Sequence, residues 1–243
     1  MSGHSKWATI KRQKGVADIK RGLTFTKLSN AITIAVKKSG GITDINSNFK
    51  LRLAVEMAKA NNMPKETIER AIERAAGKDS GIMEEALYEG FAPGGISVMV
   101  EAATDNPQRT SSEIKNIFNK EGGNFGQPGS VAYQFRQVGK IVVSKQAKTF
   151  DEIFEKAIEE NADDILEEGE NVVIYTPYSD LSRIKDSLAG QGLNITSMEI
   201  IMKPLSLIGL EDKELETRAL SFLDKLEDND DVQKVYSNLN VAQ

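Results

Sequence analysis

The side chains that most often carry out chemistry are scarce in this 243-residue chain: it has one histidine, His4, and no cysteine. The lack of thiols removes disulfides, thiolate metal sites and thiol nucleophiles together. One imidazole cannot build a histidine-rich zinc site, and a Ser-His-Asp triad would have to recruit His4 from an N-terminal arm. Gly126-Gln127-Pro128-Gly129-Ser130 lacks the G-x-S-x-G spacing of a nucleophile elbow, and no G-x-x-x-x-G-K-[ST] phosphate loop occurs. Glu159, Glu160, Asp163, Asp164, Glu167 and Glu168 form a charge run of the kind that makes a solvated face. The expectation is a protein that is not an enzyme and has no metal, no cofactor and no small-molecule substrate.

What remains is basic. Lys6, Lys11, Arg12, Lys14, Lys20 and Arg21 stand against a single acid, Asp18, in the first 22 residues, which also hold the only tryptophan, Trp7. Residues 1–78 carry 16 Lys and Arg against 6 Asp and Glu, a net +10, whereas residues 79–243 carry 15 against 30, a net −15. A basic head on an acidic body predicts a polyanion partner, because lysine and arginine that neutralise phosphates release condensed counterions. Lys27, Lys37 and Lys38 extend the basic set along the next segment. Two roles fit Trp7: stacking on an unpaired base, or anchoring the arm to a helical core. His4 reads equally as a phosphate or base contact and as a solvated arm residue.

These residues need elements to position them. Phe25, Leu28, Ile32 and Val36 recur at three- and four-residue spacing, one face of a helix that Gly40 and Gly41 stop, with Lys27, Asn30, Ile34, Lys37 and Lys38 off that line. A second helix buries Leu51, Leu53, Val55, Met57 and Ala58 and ends at Asn61-Asn62; a third starts at Met63-Pro64, pairs Glu66 with Arg70 and closes at Gly77. Past the linker Lys78-Asp79-Ser80-Gly81 the texture becomes strands and helices: strands 86–91 and 96–103, a helix from Asn106-Pro107, and a strand over 130–135. The run from Gly122 to Gly129 follows a helix and precedes a strand, so it reads as a connector whose backbone amides can also form an anion nest. Residues 139–202 spell βαββαβ, the ferredoxin-like unit, and the tail adds 205–207, a helix over 212–226 and a strand over 232–237.

The fold class expected is a small N-terminal helical domain followed by two ferredoxin-like α+β domains, one inserted in the other; two sequential domains sharing no strands would show the same periodicity. The domains would be 1–78, then 82–136 plus 204–243, with 137–203 inserted. No apolar stretch approaches the ~20 residues that span a bilayer, and the N-terminus lacks the apolar core of a secretory signal. No membrane partner and a cytoplasmic location are expected.

Gly3-His4-Ser5-Lys6-Trp7, Lys20-Arg21-Gly22, Phe25-Thr26-Lys27-Leu28, Ala60-Asn61-Asn62-Met63-Pro64, Tyr88-Glu89-Gly90, Thr104-Asp105-Asn106, Arg109-Thr110 and Gly129-Ser130-Val131-Ala132-Tyr133 resemble the YebC family across essentially the whole chain. The resemblance implies three domains and a role in gene expression. Family members are labelled DNA-binding transcriptional regulators of the cytoplasm, whereas mitochondrial relatives are translational activators and bacterial ones have been linked to the ribosome and to proline-rich stalls. Gln13, where relatives often carry another base, and Phe125-Gly126-Gln127-Pro128 depart from the pattern. The candidate nucleic-acid contacts are thus His4, Lys6, Trp7, Lys11, Arg12, Lys14, Lys20, Arg21, Lys27, Lys37 and Lys38, with Arg109 from its family-like pair. DNA and ribosomal RNA, the latter with the ribosome itself as partner, remain alternative targets.

Overall fold

The computed structural model describes residues 17–77, 83–146 and 148–241, with side chains from Gly22 onward. His4, Lys6, Trp7, Lys11, Arg12 and Lys14 and the 78–81 linker lie outside the described residues, and Lys20 and Arg21 are described by their backbone alone.

Among the described residues three helices come first: α1 (Ala17–Lys38), α2 (Phe49–Ala60) and α3 (Lys65–Ala76). Leu28, Ile32, Ala35 and Val36 of α1 pack with Leu51, Ala54, Val55 and Ala58 of α2 and Ile68, Ala71 and Ala75 of α3. Two Schellman-type endings stop α1 and α2. Gly41 N–H reaches Val36 O at 2.9 Å and Gly40 N–H reaches Lys37 O at 3.0 Å, with Gly40 at φ +73°. Asn62, at φ +57°, plays the glycine's part after α2, with Met63 N–H bonded to Ala58 O at 3.0 Å. The connection between them is tied by buried Asn48. Its Oδ1 accepts from Leu51 N–H at 3.0 Å, capping α2, while its Nδ2 lies within 3.0 Å of Ala35 O, Ser39 Oγ and Ile42 O.

A β-hairpin follows, β1 (Glu84–Ala92) and β2 (Ile96–Thr104), in antiparallel register from Glu84↔Thr104 to Ala92↔Ile96. Then come α4 (Pro107–Lys120), capped by the Asn106 side chain at Arg109 N–H, and the two-residue strand β3 (Asn124–Phe125). After β3 the chain leaves this sheet, completes another, and returns through β8 (Ile208–Gly209), α7 (Lys213–Glu227), β9 (Val232–Ser237) and β10 (Leu239–Asn240). The first sheet has order β3-β1-β2-β9, so the tail strand supplies one edge. Ile96, Val98, Val100 and Val235 of the sheet share a core with Ile114, Phe118, Phe222 and Leu226 of the helices. Phe118 and Phe222 stack edge to face at 4.9 Å. Exit and return are stitched where Leu205 N–H bonds Gln134 O at 2.8 Å.

The inserted portion is β4 (Phe135–Ser144), α5 (Phe150–Glu159), β5 (Asp164–Glu168), β6 (Asn171–Pro177), α6 (Leu181–Gly190) and β7 (Asn194–Pro204). Its sheet order, β5-β6-β4-β7, is that of the ferredoxin-like unit. The expected fold class, a helical N-terminal region followed by α+β domains, is the one observed. The chain divides into two compact units: Arg136–Lys203 with the Lys59–Asn62 turn form one, and the remaining described residues the other.

Two local expectations are corrected. Ile34, off the apolar line of α1, is buried, because α1 also lies against β2 and β9. The strand expected over 130–135 is absent. Ala132–Gln134 is a single 3-10 turn, and the strand starts only at Phe135, because the backbone N–H groups before it are claimed by a carboxylate rather than by a ladder.

Candidate nucleic-acid interface

That carboxylate is Glu89 of β1, a residue 5% exposed. One oxygen accepts from Gly129 N–H at 2.7 Å; the other accepts from Val131 N–H at 2.7 Å and Ala132 N–H at 2.8 Å. The backbone carbonyl of Glu89 also takes Gly126 N–H at 2.8 Å. The glycine-rich loop does form an anion nest, and its anion is the protein's own. Burial by itself would raise the Glu89 carboxyl, but the three N–H donors outweigh it and hold the group below its ordinary value of 4.5. The one sequence signal for this is a charged residue, Glu89, inside an expected strand.

Of the basic candidates with described side chains, Lys27, Lys38 and Arg109 are engaged within the chain. Lys27 Nζ donates to the carbonyl of Glu227, the last residue of α7, where a cation meets the negative end of the helix dipole. Lys38 pairs with Glu85 at the start of β1. Arg109 reaches Asp231 at 2.8 Å, Asp105 at 2.9 Å and Glu113 at 3.9 Å. Asp231 also accepts from Thr110 Oγ1 at 2.5 Å, so the entry to β9 is clamped to the first turn of α4. Lys37, half-buried in the last turn of α1, has a partner in the chain as well.

Further bases on the helical head were not singled out from sequence. Lys50 and Lys59 of α2 are exposed and without an ion pair among the described residues. Arg52 lies over the Phe49 ring at 5.6 Å. On α3 the exposed side alternates in sign. Lys65 pairs with Glu69 at 3.6 Å, and Arg70 Nε donates to the Glu66 carbonyl at 3.2 Å rather than forming the expected side-chain pair. Among the described residues no group of three His, Asp or Glu is placed to hold a metal ion, and no helix is long and apolar enough to cross a membrane.

Two family models match the sequence: "TACO1/YebC protein N-terminal domain" over residues 5–78 and "TACO1/YebC second and third domain" over 83–239. This chain belongs to the TACO1/YebC family. All the basic candidates from Lys6 to Lys38 fall within the TACO1/YebC N-terminal match, and Arg109 within the other. A probable transcriptional regulatory protein of Chloroflexus aurantiacus is 49% identical over 100% of this chain and 96% of its own length. One from Geobacter sulfurreducens is 45% identical over 100% and 97%. The crystal structure of a conserved hypothetical protein from Aquifex aeolicus superposes with a TM-score of 0.85 at 40% identity, covering 93% of each chain. Relatives of this TACO1/YebC chain are thus named as regulators over their whole length.

Proposed function

We propose that the chain is a non-enzymatic, cytoplasmic regulator of gene expression that docks on nucleic-acid phosphates through its basic head. The observation that carries this reading is the segregation of charge, +10 over residues 1–78 against −15 over the remainder. Lys27, Lys38 and Arg109 already have partners, so the docking residues in this reading are His4, Lys6, Trp7, Lys11, Arg12, Lys14, Lys20 and Arg21. The relatives' naming supports transcription and hence DNA as the target.

A second reading, a ribosome-associated translation factor on ribosomal or transfer RNA, is favoured by one feature. Reading base edges in a major groove takes a helix face of amide and basic side chains. The exposed side of α3 instead alternates Lys65, Glu66, Glu69, Arg70, Glu73 and Arg74, and its carboxylates would oppose phosphates. A basic segment that follows phosphate shape is closer to how proteins recognise folded RNA. Sedimentation of extracts through a sucrose gradient, with Lys6→Glu/Lys11→Glu/Arg12→Glu/Lys14→Glu as control, separates the two. Ribosome comigration that the variant loses identifies the translational reading. Wild type at the top of the gradient, with promoter mobility shifts lost in the variant, identifies the transcriptional one. Equal binding of both polyanions by both proteins contradicts the proposal.

A further inference from the structure

The inserted unit carries a helix face that its own sheet does not cover. A capping box fixes the start of α5: Thr149 Oγ1 accepts from Glu152 N–H, and the Glu152 carboxylate accepts from Thr149 N–H. From there Ile153 and Ala157 turn into the core. One step round the helix Phe150, Phe154 and Ile158 repeat every four residues. The two rings lie 5.7 Å apart, and Phe154 and Ile158 are 39% and 52% exposed. The adjoining row, at the same spacing, is Asp151, Glu155 and Glu159, all exposed and none in an ion pair among the described residues. Several carboxylates elsewhere in the unit do have cations: Glu160 takes Arg183 at 2.9 Å, Glu167 takes Lys145 at 2.6 Å, and Asp164 takes Lys203 at 2.5 Å. Asp151, Glu155 and Glu159 line up beside the apolar row without such a partner among the described residues.

We propose that this face of α5 docks a basic amphipathic segment of another protein, one with an apolar row flanked by lysine or arginine. The choice of occupant follows from charge. Residues 136–203 hold 8 basic and 13 acidic residues, a net −5, so a nucleic acid is repelled. A second copy seated symmetrically would bring Asp151, Glu155 and Glu159 against their own counterparts. A cationic helix satisfies both rows, burying Phe154 and Ile158 while supplying charge to the carboxylates, in the helix-in-groove manner of amphipathic recognition. The rows extend about 12 Å, enough for two to three helical turns, and a footprint that small belongs to weak, fast-exchanging contacts. The inference is independent of what the basic head binds.

The test is a titration of the full-length 15N-labelled protein with a synthetic helical peptide carrying a leucine row flanked by lysine rows at four-residue spacing. A matching glutamate peptide is the control. Backbone shifts should concentrate on residues 150–160 for the lysine peptide, and Phe154→Ser/Ile158→Ser should weaken it at least about tenfold while leaving the spectrum folded. Glu155→Lys/Glu159→Lys should lose the lysine peptide and gain the glutamate one. Shifts scattered over the acidic surface, or affinity unchanged in the serine variant, overturn the proposal by reducing it to bulk attraction. A dimer that dissociates on Phe154→Ser/Ile158→Ser overturns it in favour of a second copy.

Discussion

Replacing Glu89 with glutamine tests the nest most sharply, because the change preserves shape and removes only the second acceptor and the charge. In the native site one oxygen serves Gly129 and the other serves Val131 and Ala132, all at 2.7–2.8 Å. An amide has a single acceptor oxygen, so its NH2 must face at least one of these N–H groups, donor against donor. Hydrogen bonds to a charged acceptor contribute about 1.5–3 kcal/mol each. Losing one outright and weakening the others gives roughly 3–4 kcal/mol. Calorimetry of Glu89→Gln should lower the melting transition of the unit containing β1 by roughly 10 °C, at 2–4 °C per kcal/mol for domains of this size. Hydrogen exchange should accelerate at Gly129, Val131 and Ala132. The effect has a pH sign. The folded carboxyl sits below its ordinary value of 4.5, so its contribution is complete above that value and is lost as pH falls through the lowered one. The gap between wild type and variant therefore narrows under acid. A variant within about 0.5 kcal/mol of wild type near neutrality, with those three amides as protected as before, refutes the reasoning.

Other consequences follow from the same geometry. Asn48→Ala, which removes a cap and leaves Ala35 and Ile42 carbonyls short of a donor, should cost about 2–3 kcal/mol in denaturant unfolding. Asn48→Asp keeps the cap but sets a buried carboxylate oxygen against the Ala35 and Ile42 carbonyls, so it should cost at least as much. Gly90→Ala should be worse than a typical core substitution, at about 3 kcal/mol or more, because an added Cβ would stand 2.4 Å from both Asn124 O and a Phe118 ring carbon; soluble yield and chemical denaturation report it. Lys27→Met should cost about 0.5–1 kcal/mol through the lost contact at the α7 C-terminus and leave nucleic-acid affinity unaltered in a filter-binding assay.

The helical head and the individual elements of the α+β portion were legible because their signals are local. Apolar spacing marks α1 to α3, Asn106-Pro107 marks the start of α4, and strand 232–237 was found at its observed limits. Ile34 lies off the one-face pattern and is nevertheless buried, because a helix packed on two sides buries more than one face. Residues 130–135 alternate like a strand, yet their amides answer to Glu89, about forty positions earlier, and periodicity holds no information about a partner that distant. The same holds for the bases. Composition revealed that positive charge collects in the head, but only the folded chain shows that Lys27, Lys38 and Arg109 spend theirs on Glu227, Glu85 and Asp231.

The central claim is that phosphates are met by the basic N-terminal residues rather than by Lys27, Lys38 and Arg109, which already have partners. Measuring affinity for a ribosomal RNA fragment and for duplex DNA across a salt series, for wild type and for Lys6→Glu/Lys11→Glu/Arg12→Glu/Lys14→Glu, tests it most directly. Four lost phosphate contacts should flatten the slope of log K against log salt by roughly 2.8 on single-stranded and 3.6 on duplex nucleic acid, with affinity falling in step. A variant whose slope and affinity match wild type on both would contradict the account.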